Sequence, residues 1–333
     1  MLSAFARAFR TPDLRRKLLF TIAIMAIFRV GSFIPTPGVD YPNVQQCIAE
    51  TADGNDLLSL VNLFSGGALL QLSIFALGIM PYITASIIVQ LLRVVIPRFE
   101  ALHKEGQSGQ AKLTQYTRYL TIALAILQST TVITTARNGL LFQGCSVDVI
   151  PDASFVTMAL MVITMTAGTG LIMWLGELIT ERGVGNGMSL LIFTSIAASF
   201  PTALWSIAGG ANGATNFIIM IAVIVLVIGL VVFVEQSQRR VPVQYAKRMV
   251  GRRMYGGSST YIPIKINMAG VIPVIFAASL LAVPGLIAQF GDQSADWVIW
   301  ISTNLADPSA PLHILLYVLM ILFFCFFYTS ITF

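Results

Sequence analysis

The chain has 333 residues, of which 56% are apolar and 11% charged, with a net charge of +5. A soluble domain carries about 25% charged residues. This composition therefore excludes an ordinary soluble enzyme or binding module and leaves a polytopic membrane protein.

Eight apolar stretches are long enough to cross a hydrocarbon core of about 30 Å. They are Leu18–Ile34, Leu72–Ile96, Tyr119–Ala136, Phe155–Leu178, Met188–Ala208, Phe217–Val234, Met268–Phe290 and Leu312–Phe333. The first follows a basic amphipathic stretch, Phe5–Lys17, with no small-residue cleavage site behind it, so no cleavable signal peptide is expected. Residues 1–17 form a cytoplasmic segment that either orients the chain or lies on the inner leaflet. Ahead of the second span is a shorter apolar segment, Leu57–Leu72. As a helix it would cover only about 24 Å, and Ser65, Gly66 and Gly67 break its middle. It reaches membrane depth without crossing, and irregular backbone is tolerated there only inside protein or beside a water-filled cavity. A re-entrant segment in an enclosed cavity is the reading.

Placing the N-terminus in the cytoplasm puts 18 of the 20 Lys and Arg residues inside, with Arg137 outside and Arg29 within the first span. Asp40, Glu50, Asp53, Asp56, Asp148, Asp152, Asp292, Asp296 and Asp307 then fall outside. This sorting supports both the span count and the direction. Cys47 and Cys145 share the outer side, where a disulfide is chemically possible, but their separation in sequence argues against a bridge. Cys325 reads as a small packing residue. Two cytoplasmic loops are sizeable. One is Pro97–Arg118. The other, Glu235–Lys265, carries seven basic residues and one acidic. Tyr245–Tyr255 within it suits a strand or a short helix, and Gly256 and Gly257 mark a turn. Its charge exceeds what orientation requires and suggests partner docking. The chain stops at Phe333 in an apolar run without a polar flank, so a truncated chain is expected.

Reactive chemistry is sparse. There is no H-E-x-x-H, no Cys/His cluster and no mid-membrane carboxylate pair, which argues against an enzyme, a metal site or any cofactor. Arg29 is the clear intramembrane charge. It either pairs with an acidic group or snorkels outward, and a structural role is favoured over a substrate role. Glu177 lies near a cytoplasmic end. Small residues at Ala167-Gly168-Thr169-Gly170 suit close helix packing. Pro81 and Pro273 are expected to bend the second and seventh spans. Each is flanked by isoleucines about a turn apart, Ile79 with Ile83 and Ile272 with Ile275. Taken alone, such isoleucines are lipid-facing or packed.

Several strings nevertheless carry a resemblance. FRVGSFIPTPGVD (Phe28–Asp40), NLFSGGALLQLSIFALGIMPYITASIIVQLL (Asn62–Leu92), EGQSGQAKLTQYTRY (Glu105–Tyr119), GELITERGVGNGMSLLIF (Gly176–Phe193), QRRVPVQYAKRMVGRRMYGG (Gln238–Gly257) and IPIKINMAGVIPVIFA (Ile262–Ala277) resemble the SecY family, the channel subunit of the bacterial Sec protein translocase. The resemblance covers essentially the whole chain. It implies an all-α, inverted-repeat bundle of ten spans, of which about eight are present here. The first five-span half would be 18–208, including a plug at 57–72. A partial second half would be 217–333, with the cytoplasmic loop 235–265.

The resemblance also implies site residues. Ile79, Ile83, Met188, Ile192, Ile272 and Ile275 map to a constriction ring. Asn62, Phe64, Ser65, Gly66 and Gly67 fall on the plug. Gln90, Gln128 and Asn267 are candidate polar residues of a lateral gate, although ordinary interhelical packing explains them equally well. Arg239, Arg240, Lys247, Arg248, Arg252 and Arg253 would dock the SecA ATPase or the ribosome. Further implied partners are the SecE and SecG membrane subunits, signal peptides, unfolded polypeptide substrates and the phospholipid bilayer itself. The implied setting is the bacterial cell membrane, multi-pass, with a cytoplasmic N-terminus. A collar of flexible apolar side chains seals by dewetting yet conforms to a passing chain. The rival reading is a secondary transporter with broken helices, which predicts intramembrane ionisable coupling residues that are nearly absent.

Overall fold

Backbone polar groups in lipid find partners only within a helix or a closed barrel, and the apolar stretches here are helical. The structure is a computed structural model. It describes residues 11–50, 65–137, 139, 141–142, 145, 147–152, 154–208, 213–243, 248–250, 253–255, 260–271, 273–274, 276–278, 280–281, 284, 288, 295–307 and 310–332. In chain order the elements are α1 (Pro12–Gly31), α2 (Tyr41–Glu50), α3 (Met80–Val95), α4 (Pro97–Lys104), α5 (Gln107–Arg137), α6 (Phe155–Arg182), α7 (Gly187–Ala208) and α8 (Gly213–Gln236). Strands β1 (Gln238–Val243), β2 (Arg248–Val250), β3 (Arg253–Tyr255) and β4 (Thr260–Lys265) follow, then α9 (Asp296–Ile301), a π-turn at Ser302–Ala306 and α10 (Pro311–Thr332). The chain divides into two compact units, Met1–Thr202 with Ala278–Tyr317, and Ala203–Ala277 with Val318–Phe333.

Among the described residues, four helices are long and apolar enough to cross a membrane unaided: Gln107–Arg137, Phe155–Arg182, Phe217–Gln236 and Pro311–Ser330. These contain the third, fourth and sixth spans expected from sequence and most of the eighth. The first expected span is helical from Pro12 to Gly31, so Arg15, Arg16 and Lys17 lie within α1. The fifth is α7, whose apolar part Gly187–Pro201 is shorter. Of the seventh, Met268–Phe290, 13 of 23 residues are described, and those from Pro273 onward are helical.

The second span departs most from expectation. Residues 66–79 are a succession of turns, and regular helix begins only at Met80. Gly66, Gly67 and Gly78 adopt φ of +69°, +88° and +56°, and Leu72 adopts +45°. No helix runs through such angles. Pro81 therefore starts α3 instead of bending it, because proline's missing N–H costs nothing in the first turn. At the other end, Ile96 is extended (φ −104°, ψ 114°), as a residue before proline prefers. The chain turns there by 97° into α4. The expected loop Pro97–Arg118 is consequently helical, comprising α4 and the first turns of α5.

In the first unit, α3 runs along α5, α5 along α6, and α1 packs on α6. Small residues set two further approaches to α6, by the turn at Ile74 and by the start of α7. A Cβ on Gly168 would collide with the Ile74 carbonyl, and one on Gly187 with the Gly176 carbonyl. Gly170, expected to share this role, faces open space. Arg118 and Glu177 join α5 to α6 through a two-pronged ion pair, Nε to Oε1 at 2.9 Å and a terminal nitrogen to Oε2 at 2.6 Å.

One expectation is overturned. Cys47 and Cys145 are disulfide-bonded, with Cα atoms 5.2 Å apart across 98 residues of sequence. The backbone N–H of Asp40 donates to Val149, and Asn43 Nδ2 donates to the Asp148 carbonyl at 2.9 Å. These bonds dock α2 against 147–149 and bring the two cysteines together. Sequence distance is no guide once both loops cap the same apolar cluster, which includes Val44, Leu69, Leu72, Leu141, Phe142 and Ile150.

The second unit carries α8, exposed over most of its described length, and two antiparallel ribbons. β1 pairs with β4 from Gln238↔Lys265 to Val243↔Thr260, and β2 with β3 from Arg248↔Tyr255 to Val250↔Arg253. The centre of the basic loop is thus strand, one of the two options its sequence left open. Phe276 and Phe324 stack with centroids 4.8 Å apart.

Candidate functional site: an apolar cluster beside a broken segment

The geometry of the first unit starts from where the helices begin. Ile79 is the residue before α3, and the N–H of Ile83 donates to its carbonyl at 3.1 Å, so the two isoleucines are stacked one turn apart. Met188 and Ile192 occupy the first two turns of α7. All four belong to one apolar cluster with Ile24, Phe28, Phe75, Ile172, Leu175, Ile179 and Leu191. Ile79 is almost fully buried at 3% exposure, whereas Ile83, Met188 and Ile192 pack against the cluster and keep part of their surface open. Ile272 and Ile275 lie outside the described residues. The structure therefore brings together four of the six side chains singled out from sequence.

Of the plug residues, Asn62 and Phe64 lie outside the described set, as do all of 57–64. Ser65, Gly66 and Gly67 are described. Ser65 Oγ accepts from the N–H of Leu69 at 3.1 Å. The expected helix does not continue from Ser65 to Leu72; turns replace it. The far end of this segment is tied down through backbone. The Leu72 carbonyl accepts both the Thr36 N–H at 3.0 Å and Thr36 Oγ1 at 2.7 Å, and the Ile74 N–H donates to Ile34 at 2.9 Å. Pro35 and Ser73 form an isolated bridge. Ser73 Oγ and Gln71 Oε1, flanking Leu72, are buried with no hydrogen-bond partner among the described residues.

Sequence reasoning missed the role of residues 32–36. Their only signal was the run Ser-Phe-Ile-Pro-Thr-Pro directly after a span, an extended stretch whose free backbone groups must be satisfied by some other segment. The sequence alone offers Arg29 an acidic partner or an outward snorkel. Instead its guanidinium donates to the Gly66 carbonyl at 2.6 Å and lies over the Phe33 ring, 4.5 Å from the centroid.

The candidate gate residues fall in different places. Gln90 on α3 and Gln128 on α5 are half-buried. In the second unit, Asn267 Nδ2 donates to Glu235 at 3.3 Å and its Oδ1 accepts the Gly270 N–H at 3.0 Å. These bonds give Asn267 a role at the base of the ribbon. Among the basic residues, Arg239 and Arg240 are exposed on β1, with Arg240 over the Tyr261 ring at 4.7 Å. Arg248 pairs across from Tyr255 and Arg253 from Val250. Lys247 and Arg252 lie outside the described residues.

Comparison with known proteins bears on this arrangement. A family model described as SecY matches residues 73–333. The protein translocase subunit SecY of Streptomyces coelicolor is 63% identical over 100% of this chain and 77% of its own length. A solved protein-conducting channel matches with a TM-score of 0.59 at 20% identity, over 93% of this chain and 70% of that one. A structure concerned with the SecY plug domain, the closed channel and the membrane seal matches with a TM-score of 0.53 at 20% identity, over 83% and 58% of the two chains. At that identity the structural likeness speaks for the fold.

Proposed function

The chain belongs to the SecY family, and from that premise we propose how this multi-pass membrane protein works as the pore subunit of a protein-conducting channel. Unfolded secretory polypeptides pass through its centre, and apolar segments leave sideways into lipid. The observation that carries the reading is the shared cluster of Ile79, Ile83, Met188 and Ile192 beside the broken segment 65–79. In the proposed closed state these side chains, with Ile272 and Ile275, form the collar and Ser65–Leu72 covers it. Apolar collars exclude ions by dewetting and make no polar demand on the cargo's sequence. The channel catalyses no reaction of its own, so the driving energy comes from a partner or from the membrane potential.

Orientation and partners follow from charge. The basic ribbons belong on the cytoplasmic side of a bacterial cell membrane, with the N-terminus, and the disulfide on the oxidising outer side. SecE and SecG are the expected membrane partners. The division into halves 18–208 and 217–333 is part of the same proposal, as is a lateral gate including Gln90, Gln128 and Asn267.

Two experiments test the reading in the assembled complex. A stalled secretory chain is expected to crosslink to photoreactive probes at Ile83 and Ile192 and not to a lipid-facing probe at Phe233. Equal labelling at all three positions would remove the conduit. Separately, changing Arg252 and Arg253 to glutamate is expected to weaken SecA or ribosome binding at least tenfold at low salt, since rim charges dominate steering. Unchanged binding would leave the loop's charge as an orientation signal only.

A further inference from the structure

Met188 differs from the other five collar candidates, which are all isoleucines. Its side chain is unbranched, and the far end of that chain has a seat. A Cβ built on Gly176 of α6 would lie 2.5 Å from Met188 Sδ and 2.8 Å from its Cε. The sulfur and the terminal methyl therefore fill the space that any larger residue at 176 would take. Leu191 closes the space beside them: its Cδ1 lies 3.5 Å from the same point, and it is 1% exposed. Gly176 is buried, while Met188 keeps part of its surface open.

The backbone around this contact is tied down. The Thr180 hydroxyl donates to the Gly176 carbonyl at 2.9 Å and accepts the Gly187 N–H at 2.9 Å. Asn186 Oδ1 caps α7, accepting the N–H of Met188 at 3.0 Å and that of Ser189 at 3.3 Å. Gly187 already abuts the Gly176 carbonyl, so α7 has no room to slide closer to α6. The first turn of α7 is thus fixed, whereas a thioether chain turns readily about its rotatable bonds. Packed interiors leave few spare voids. Displaced from Gly176, the end of Met188 has room on the side left open.

We infer that Gly176 is a parking notch for Met188: by drawing the thioether back onto α6, it sets how bulky a cargo the collar admits. The inference rests on the channel reading and adds a positioning residue to it, one that acts through Met188 without touching the cargo. Parked, the sulfur and methyl lie against α6. Expelled, they stand in the path.

The test uses the full chain with its membrane partners in proteoliposomes. Passage of a plain precursor, and of the same precursor carrying a bulky aromatic adduct on one cysteine, is measured for wild type, Gly176→Ala, Met188→Ala and the double variant. Alanine is the better helix former, so Gly176→Ala keeps α6 and changes where the thioether goes. It is expected to lower passage of the bulky precursor about tenfold, the order that one added methyl contributes in a tight pocket, while the plain precursor still crosses. Met188→Ala removes the displaced group, so the double variant is expected to pass the bulky precursor as well as Met188→Ala alone. Wild-type passage of the bulky precursor by Gly176→Ala overturns the notch and leaves the channel standing. A double variant as impaired as Gly176→Ala also overturns it, by showing that the effect runs through helix packing and not through Met188. Failure of wild type to pass even the plain precursor removes the channel reading and the notch with it. Should Gly176→Ala not assemble, the isotope-labelled Met188 methyl of wild type decides, assigned by its loss in Met188→Ala. An ordered methyl keeps the notch, and a freely averaging one overturns it.

Discussion

Changing Ile83 to aspartate is expected to turn the idle channel into a cation leak, with conductance rising tenfold or more while the complex still assembles. The side chain sits one turn into α3 and packs on the apolar cluster with part of its surface open. A carboxylate there keeps access to water, so it would hydrate the proposed constriction without unpacking the core. Hydrophobic gating works only while the collar stays dry, and an acidic ring attracts cations. The neighbouring position provides the contrast. Ile79 is 3% exposed, and a carboxylate there has no partner in a cluster of Ile, Leu and Phe. Ile79→Asp is expected to destabilise the first unit by about 3–5 kcal/mol, the cost of an uncompensated buried charge, and to lower the yield of assembled complex. Ile83→Leu should behave as wild type in both assays. Planar-bilayer conductance and thermal stability in detergent separate the two effects. A dry, silent Ile83→Asp channel would remove Ile83 from the conduit.

Breaking the Cys47–Cys145 bond is expected to have the second large effect. The bridge closes 98 residues of chain, and removing a native disulfide with a loop of this size typically costs about 2–4 kcal/mol. It also secures the docking of α2 on residues 147–149, which covers the cluster holding Leu69 and Leu72. Exchange of both cysteines for alanine should therefore lower the melting temperature in detergent, and adding reductant to wild type should do the same. Cys325 is the control, since its thiol is free. Cys325→Ala should leave the melting temperature near wild type. Identical melting of oxidised and reduced wild-type protein would show that the outer cap holds without its bridge.

The membrane class and most helices were legible because hydropathy and charge are carried by each residue separately. Phe217–Val234 and Phe155–Leu178 needed no neighbour to declare themselves. The broken segment was legible for the same local reason, since Ser65, Gly66 and Gly67 interrupt an apolar run in any context. Family resemblance supplied the candidate collar, which no periodicity distinguishes from ordinary packed isoleucines. Local reasoning failed where a neighbour decides. Pro81 within an apolar run implies a bend in one span, but the left-handed angles at Leu72 and Gly78 break the chain before it and make it a helix start. Pro97–Arg118 lies between two apolar spans and so reads as a loop, yet a polar segment that emerges from the membrane can stay helical, as α4 and the start of α5 do.

By itself the sequence determined that this chain belongs in a membrane, where most of its apolar helices lie, and that the run around Ser65, Gly66 and Gly67 is not continuous helix. Those are sums over single residues and hold whatever the chain does next. Only the tertiary structure decided that Cys47 meets Cys145, that Arg29 finds a glycine carbonyl in place of a carboxylate, and that Ile79 and Ile83 share a cluster with Met188 and Ile192. Such pairings depend on which loops close and which helices touch, and contact across 37 or 98 residues leaves no local trace in composition.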